Sequence, residues 1–242
     1  MELTVLGCSG SYGAPAGGAC SGYLVRAGDA TVWMDCGNGT FAKLQEHVDP
    51  GELSAVVISH GHADHCVDLY GLHVMFRYGR ELSGLPVYTP EGLEPVLAGL
   101  VGTFGDTFDW RTVGDGDHTS IGEAKLRFSR TDHPPPTMAV EIAHDQKRLV
   151  YSADTGPEWS VDAFGAGADL VLSEATYMHD DIPVPIHLSA RQAGAAARAA
   201  KARRLMITHL WPTLDPLASV EEASEAFGRE VALAAPHLST HV

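Results

Sequence analysis

Four potential metal ligands fall within six consecutive residues, His60-Gly61-His62-Ala63-Asp64-His65. They follow the apolar run Ala55-Val56-Val57-Ile58, which places them at the carboxyl end of a strand. Any fold for this chain must therefore carry a strand into a loop that collects imidazoles and a carboxylate. In an extended loop His60 and His62 point the same way, because strand side chains repeat every two residues. Both can then grip one ion. Asp64 and His65 lie at the turn into the next helix and can reach a second ion. Imidazole and carboxylate are borderline-to-hard donors, suited to zinc or manganese. A histidine-rich polar turn arising by chance is the weaker reading, with only thirteen histidines in 242 residues.

Two ions need more ligands, and three later positions each follow an apolar strand-like run. His133 follows Leu126 to Thr131 and precedes three prolines. Asp154 follows Leu149-Val150-Tyr151-Ser152-Ala153, and His209 follows Leu205-Met206-Ile207-Thr208. Strand-end loops are where functional side chains gather. Taken singly, each is an ordinary loop residue. His47, His73, His144, His179, His237 and His241 have no partner at ligand spacing. His118 sits in a polar turn and is a substitute only should His133 fail. Cys66 is followed by apolar Val67 and reads as a core thiol.

The pattern of runs predicts strands near 2–6, 22–27, 30–35, 54–58, 86–88, 107–113, 124–130, 138–143, 148–152, 169–173, 204–208 and 230–234. Helices are expected at 40–47, 66–78, from Pro90 to about 100, at 189–201 with Ser189 as N-cap, and at 219–227. The hairpins at 22–35 and 124–152 favour an α/β architecture of two sheets packed face to face with helices outside. They count against a doubly wound sheet.

Charge narrows the partners. The 31 acidic and 16 basic residues give a net charge of −15. That counts against large nucleic acids, whose binding rests on Lys and Arg neutralising phosphates. It does not exclude a small anion held by metal ions. No window approaches the ~20 apolar residues of a membrane span. No basic region precedes the first apolar run, so no signal peptide is expected. Four cysteines without a C-x-x-C pair fit a reducing cytoplasm.

Taken together, His60-x-His62-x-Asp64-His65, His133, Asp154 and His209 resemble the metallo-β-lactamase superfamily. The resemblance runs from about residue 2 to 235 and begins with Asp35 after a β-hairpin. It implies a four-layer α/β/β/α sandwich, one domain over residues 1–242. Within the superfamily the chain is most similar to the phosphodiesterase branch that includes ribonuclease Z. Asp154, rather than Cys, stands at the bridging position. Ser173-Glu174-Ala175-Thr176 and His187-Leu188-Ser189 resemble two loops of that branch. The opening Leu6-Gly7-Cys8-Ser9-Gly10-Ser11, with Cys20-Ser21-Gly22-Tyr23-Leu24, resembles small members linked to cyclic-nucleotide hydrolysis.

The resemblance implies His60, His62 and His133 on one divalent metal and Asp64, His65 and His209 on the other, with Asp154 between them. It implies zinc, or manganese, and a bridging hydroxide that attacks phosphorus. Asp64 could briefly share a proton with that nucleophile. Asp35 would support a ligand from behind, the alternative being a turn carboxylate. His187 would protonate the leaving oxygen or clamp the phosphate. Glu174 would orient it or else pair locally. Arg191 and Arg198 would face solvent or a subunit. A homodimer is implied, with 66–78 a candidate contact. The expected function is hydrolysis of small phosphodiesters such as cyclic nucleotides. Alternatives are tRNA 3′-end processing, a lactone, ester or thioester hydrolase, and an inactive metal-binding scaffold. The stretch from His133 to Asp154 leaves no room for a tRNA-clamping arm. Pro134-Pro135-Pro136-Thr137-Met138 departs from the family pattern and is expected to reshape the pocket wall.

Overall fold

The computed structural model describes residues 1–15 and 18–242. The first half builds β1 (Glu2–Gly7), β2 (Gly22–Ala27), β3 (Ala30–Met34), β4 (Ala55–Val57), β5 (Leu85–Pro90) and β6 (Phe108–Val113). The second builds β7 (His118–Ile121), β8 (Ala124–Arg130), β9 (Met138–His144), β10 (Lys147–Tyr151), β11 (Leu170–Glu174), β12 (Leu205–Thr208), β13 (Ala232–Leu233) and β14 (Ser239–His241). Two seven-stranded sheets result, ordered β14-β1-β2-β3-β4-β5-β6 and β13-β12-β11-β10-β9-β8-β7. Each has antiparallel hairpins on one side and parallel strands on the other.

Period-two alternation sorts the side chains. Leu3, Val5, Tyr23, Val25, Val32 and Met34 meet Leu126, Phe128, Val140, Ile142, Leu149 and Tyr151 between the sheets. The intervening Leu24, Trp33, Val56 and Ile58 face outward onto α1 (Thr40–His47), α3 (Leu69–Val74) and α4 (Leu93–Val101). On the second sheet, Val150, Val171, Leu205 and Ile207 pack under α5 (Ala190–Ala199) and α6 (Pro216–Phe227). Burying one large aliphatic side chain contributes roughly 1.5–3 kcal/mol, and a one-residue slip would reverse every side chain of a strand. Register is thus fixed by the two buried faces. The result is the expected α/β/β/α sandwich.

Several boundaries differ from expectation. Residues 66–78 are not one helix. A short α2 (Ala63–Cys66) precedes α3, and the chain then widens into a π-helix over Met75–Arg80. Asp68 causes the break: its N–H donates to Cys36 O at 2.8 Å and its carboxylate accepts from Phe41 N at 2.8 Å. Pro90 ends β5 instead of starting a helix, and α4 begins after Gly92, whose φ is 83°. The capping box of Ser189 and Gln192 starts α5 as expected. α6 starts earlier than expected, at Pro216, because Asp215 accepts from Leu217 N at 2.9 Å. β7 and β14 are short edge strands of polar composition, which alternation does not reveal.

Cys8, Cys20, Cys36 and Cys66 are free thiols. Burial pushes Cys8 and Cys20 up to about 11 and Cys66 up to about 12. A thiol near 11 is about one part in a thousand thiolate at pH 8, against roughly a fifth for a free one. Iodoacetamide at pH 8 is therefore expected to label the native chain more than about a hundredfold slower than the urea-unfolded chain. Equal rates would contradict this burial. Among the described residues no helix is long and apolar enough to cross a membrane.

Candidate metal centre

The sheets deliver every predicted ligand to one edge of the sandwich. Asp35 follows β3, and His60 to His65 span the passage from β4 into α2. His133 follows β8, Asp154 follows β10, Glu174 ends β11 and His209 follows β12. His187 stands before the capping box of α5. Asp35, Ala153 and His209 hold left-handed backbone, with φ of 56°, 51° and 57°. Non-glycine residues there carry strain of order 1–3 kcal/mol each, which surrounding contacts must hold.

Two donor groups form. In the first, His60 Nε2 lies 3.0 Å and His133 Nε2 3.3 Å from His62 Nδ1. Asp154 Oδ2 is 3.6 Å from His60 Nε2 and 3.9 Å from His133 Nε2. In the second, Asp64 Oδ2 is 3.4 Å from His65 Nε2 and 3.2 Å from His209 Nε2. Asp154 Oδ1 completes it, 3.3 Å from His65 Nε2 and 3.6 Å from His209 Nε2. The two oxygens of one carboxylate thus serve separate groups. Donors placed tetrahedrally about 2.1 Å from an ion are about 3.4 Å apart. These separations have that spacing. Asp154 Oδ1 is also buried with no hydrogen-bond partner among the described residues, an arrangement that a cation satisfies. The residues fit a dinuclear centre, and their imidazole and carboxylate donors suit zinc.

Four of the five ligand rings, those of His60, His65, His133 and His209, are fixed from behind through the other nitrogen, which sets the tautomer and aims the donor. His65 Nδ1 pairs with Asp35 Oδ2 at 2.8 Å, and His133 Nδ1 donates to Ile186 O at 2.8 Å. His60 Nδ1 meets Ser59 Oγ at 3.0 Å, and His209 Nδ1 meets Thr176 Oγ1 at 2.9 Å. Asp35 is fully buried and far more than a turn carboxylate. It also accepts from Ser59 N (2.7 Å), Ser59 Oγ (2.8 Å) and Tyr151 Oη (2.7 Å).

The charge states differ among the ligands: burial at His65 is outweighed by Asp154 and Asp35, which push its imidazole well above the ordinary range, so an ion there displaces its proton. Burial holds His60, His62 and His133 below the ordinary imidazole range, so they stand as neutral donors. Burial opposes the charge of Asp154, but His209 and His65 outweigh it and keep the carboxylate ionised. Burial is likewise outweighed at Asp64 by hydrogen bonds from His209 and His65, which hold it below the carboxylate range.

His187 belongs to a separate arrangement. Its Nδ1 lies 3.1 Å from Glu174 Oε1 and 3.8 Å from Asp154 Oδ2. Burial would lower this imidazole, but Glu174 and Asp154 push it up to about 9. Glu174 is a hub, accepting from Thr155 N (2.6 Å), Thr176 Oγ1 (2.6 Å) and Leu188 N (3.2 Å).

The remaining candidates stay outside. His47 pairs with His237, His73 with Thr107, and His144 with Glu123. His118 lies in β7 opposite Arg127. Cys66 donates to His62 O and is buried. Arg191 faces Glu222 at 3.9 Å. Met138 does not reshape a pocket wall, because β9 carries it into the core between the sheets. Pro135 and Pro136 do line a hollow of about 280 Å³ with Gly61, Leu93 and Val96. Sequence reasoning missed Ser59, Tyr151 and Thr176. Ser59 adjoins the histidine motif, Thr176 closes the Ser173–Thr176 motif and Tyr151 sits on the inward phase of β10, so their positions were the available signal.

The family described as β-lactamase superfamily domain matches residues 30–210. An uncharacterized protein of Mycobacterium leprae is 36% identical over 239 residues, covering 94% of this chain and 84% of that one. The metallo-β-lactamase fold protein YhfI of Bacillus subtilis is 32% identical over 219 residues, 87% of each chain. Its crystal structure superposes with a TM-score of 0.89 at 28% identity, covering 99% of this chain and 98% of that one. Ribonuclease Z of Mycobacterium bovis is 29% identical over 249 residues, covering 89% of this chain and 88% of that one.

Proposed function

The chain belongs to the metallo-β-lactamase superfamily, on its ribonuclease Z-like side, and from that premise we propose a dinuclear phosphodiesterase acting on small phosphodiesters such as cyclic nucleotides. That it is a metal-dependent hydrolase follows from the two donor groups and the family. The observation that carries the finer reading is the Glu174–His187 pair held beside the bridging carboxylate. An alkoxide leaving a phosphodiester needs a proton, and this pair is built to give one.

His60, His62, His133, Asp64, His65, His209 and Asp154 would hold two divalent ions, which would supply Lewis acidity and lower the pKa of water. The chain's own contribution is position and proton transfer. Glu174 accepts from His187 Nδ1–H and stabilises the imidazolium, so the proton passed to the leaving oxygen comes from Nε2. Thr176 Oγ1 ties Glu174 to His209, so the acid and a metal ligand move as one unit. Asp64, at the open side of its group, is the carboxylate placed to share a proton with the attacking oxygen.

A second reading, tRNA 3′-end processing, is the alternative carried by the resemblance to ribonuclease Z, the name of one relative. The chain between His133 and Asp154 counts against it. It holds β9 and β10 joined at Asp145-Gln146, both with positive φ (48° and 61°), which is a tight hairpin with no arm. The net charge of −15 also favours a small substrate. We further propose one functional unit over residues 1–242, a cytoplasmic setting, and a homodimer using exposed Val74 and Tyr78.

The test is a metal-replete panel of bis-p-nitrophenyl phosphate, cyclic AMP, cyclic GMP, a tRNA precursor and a lactone. Turnover of the first three, abolished by chelation, is the expected result. Lactone or ester turnover without phosphodiester turnover would sink the reading.

A further inference from the structure

A run of aromatic rings leads from the proton donor to solvent. Tyr177 meets His187 edge to face, centroids 5.8 Å apart at 87°. Trp211 lies 6.3 Å beyond Tyr177 at 38°, and Tyr12 lies 5.5 Å beyond Trp211 at 88°. Tyr12 is 44% exposed, and Tyr177 and Trp211 are half-buried. Tyr12 and Trp211 meet edge to face, so one ring face of that pair is occupied, while Trp211 and Tyr177 are only tilted and the outermost ring is open to water. Among the described residues the cation–π contacts lie elsewhere, at Tyr78, Tyr88, Phe164 and Phe227.

The supports of these rings are rigid and belong to the site. Tyr177 follows Thr176, the residue that bonds Glu174 and His209. Trp211 N donates to Thr176 O at 3.2 Å. The loop bearing Tyr12 is fastened to the same place, through Gly10 N to Leu210 O at 2.9 Å and Ser9 Oγ to Tyr12 O at 2.7 Å. An apolar hollow of about 190 Å³ adjoins Trp211, walled by Ser9, Ala14, Leu210 and Pro212.

We infer that Tyr12, Tyr177 and Trp211 form a stacking platform for the base of a nucleotide substrate whose phosphodiester lies at the metal centre. This rests on the phosphodiesterase reading and adds to it the part of the chain that reads the base. The physical reason is the acidic surface. With a net charge of −15, a nucleotide gains little beyond the metal site from surface cations. Stacking is the remaining source of affinity, it works for any base, and larger purines gain more from it. A purely architectural role, in which the rings only hold the segment around Tyr12 against the loop after β12, is the competing account.

The experiment compares cyclic AMP with glycerol cyclic phosphate, which has no base, on the metal-loaded enzyme. Trp211→Ala is expected to lower the ratio of kcat/KM for cyclic AMP over glycerol cyclic phosphate about tenfold or more, through KM. Trp211→Phe restores most of that ratio. Tyr12→Ala, on the exposed loop, shifts it in the same direction and guards against a misfolded Trp211 variant. Independently of turnover, AMP is expected to quench tryptophan emission where ribose phosphate does not, and Trp211→Phe removes that quench. Equal losses on both substrates, or equal quenching by AMP and ribose phosphate, would overturn the platform. Should the wild-type enzyme hydrolyse neither cyclic phosphodiester, the phosphodiesterase reading falls, and the titration still decides the platform.

Discussion

His187→Ala is expected to keep two metal ions per chain and to lose turnover of alkyl phosphodiesters by about 10²–10⁴-fold. The two donor groups that Asp154 joins are complete without His187. Its ring is instead fixed on Glu174 at 3.1 Å. Removing it should leave the ions and the carboxylate between them in place, while the leaving oxygen departs without a proton. Metal content measured on the purified variant separates this from a ligand role, because His187 also stands within reach of Asp154 and His209. Loss of one ion per chain would make it a ligand. The leaving group separates an acid from a clamp. A p-nitrophenolate leaves without protonation, so an acid matters less for bis-p-nitrophenyl phosphate than for cyclic AMP. Equal losses on both would assign His187 to phosphate binding.

Asp35→Ala should be the most damaging change to the fold near the centre. Four donors converge on this fully buried carboxylate: Ser59 N, Ser59 Oγ, His65 Nδ1 and Tyr151 Oη. Alanine would leave all of them buried and unpaired, a loss of about 3–5 kcal/mol by analogy with other buried networks. For a chain of this size that lowers Tm by about 10 °C. It also frees the His65 ring, which should weaken the second metal by about 10–100-fold. Thermal melts with and without chelator check both effects. Asp35→Asn, nearly isosteric, should melt closer to wild type and still bind metal less tightly. A Tm within about two degrees of wild type for Asp35→Ala would remove Asp35 from this role.

The ligands were legible because chemistry and position coincide in them. Each is a histidine or aspartate just past an apolar run, and a short sequence window shows both facts. The supports were only half legible. Asp35 could be named, but its four donors come from three residues, Ser59 in the loop after β4, His65 on α2 and Tyr151 on β10, which no local pattern joins. Ser59 and Thr176 looked like ordinary polar neighbours of the motifs. Tyr151 looked like a core residue, and it is one, with its hydroxyl turned toward Asp35. Helix boundaries failed where a tertiary bond overrode periodicity, as at Asp68, and where a proline finished a strand, as at Pro90. The edge strands β7 and β14 failed for lack of an apolar face. The aromatic run escaped notice because Tyr12, Tyr177 and Trp211 are far apart in sequence and come together only where three loops meet.

The division of Asp154 has a mechanical meaning. His60, His62, Asp64 and His65 hang from the first sheet, whereas His133, Asp154 and His209 hang from the second. Each donor group draws on both, so an ion held by either would be a rivet across the seam of the sandwich. Affinity for metal and adhesion between the halves are then one free energy measured in two ways. A solvent strong enough to part the sheets must also extract the ions, and a chelator that extracts them loosens the seam at the edge where substrate enters.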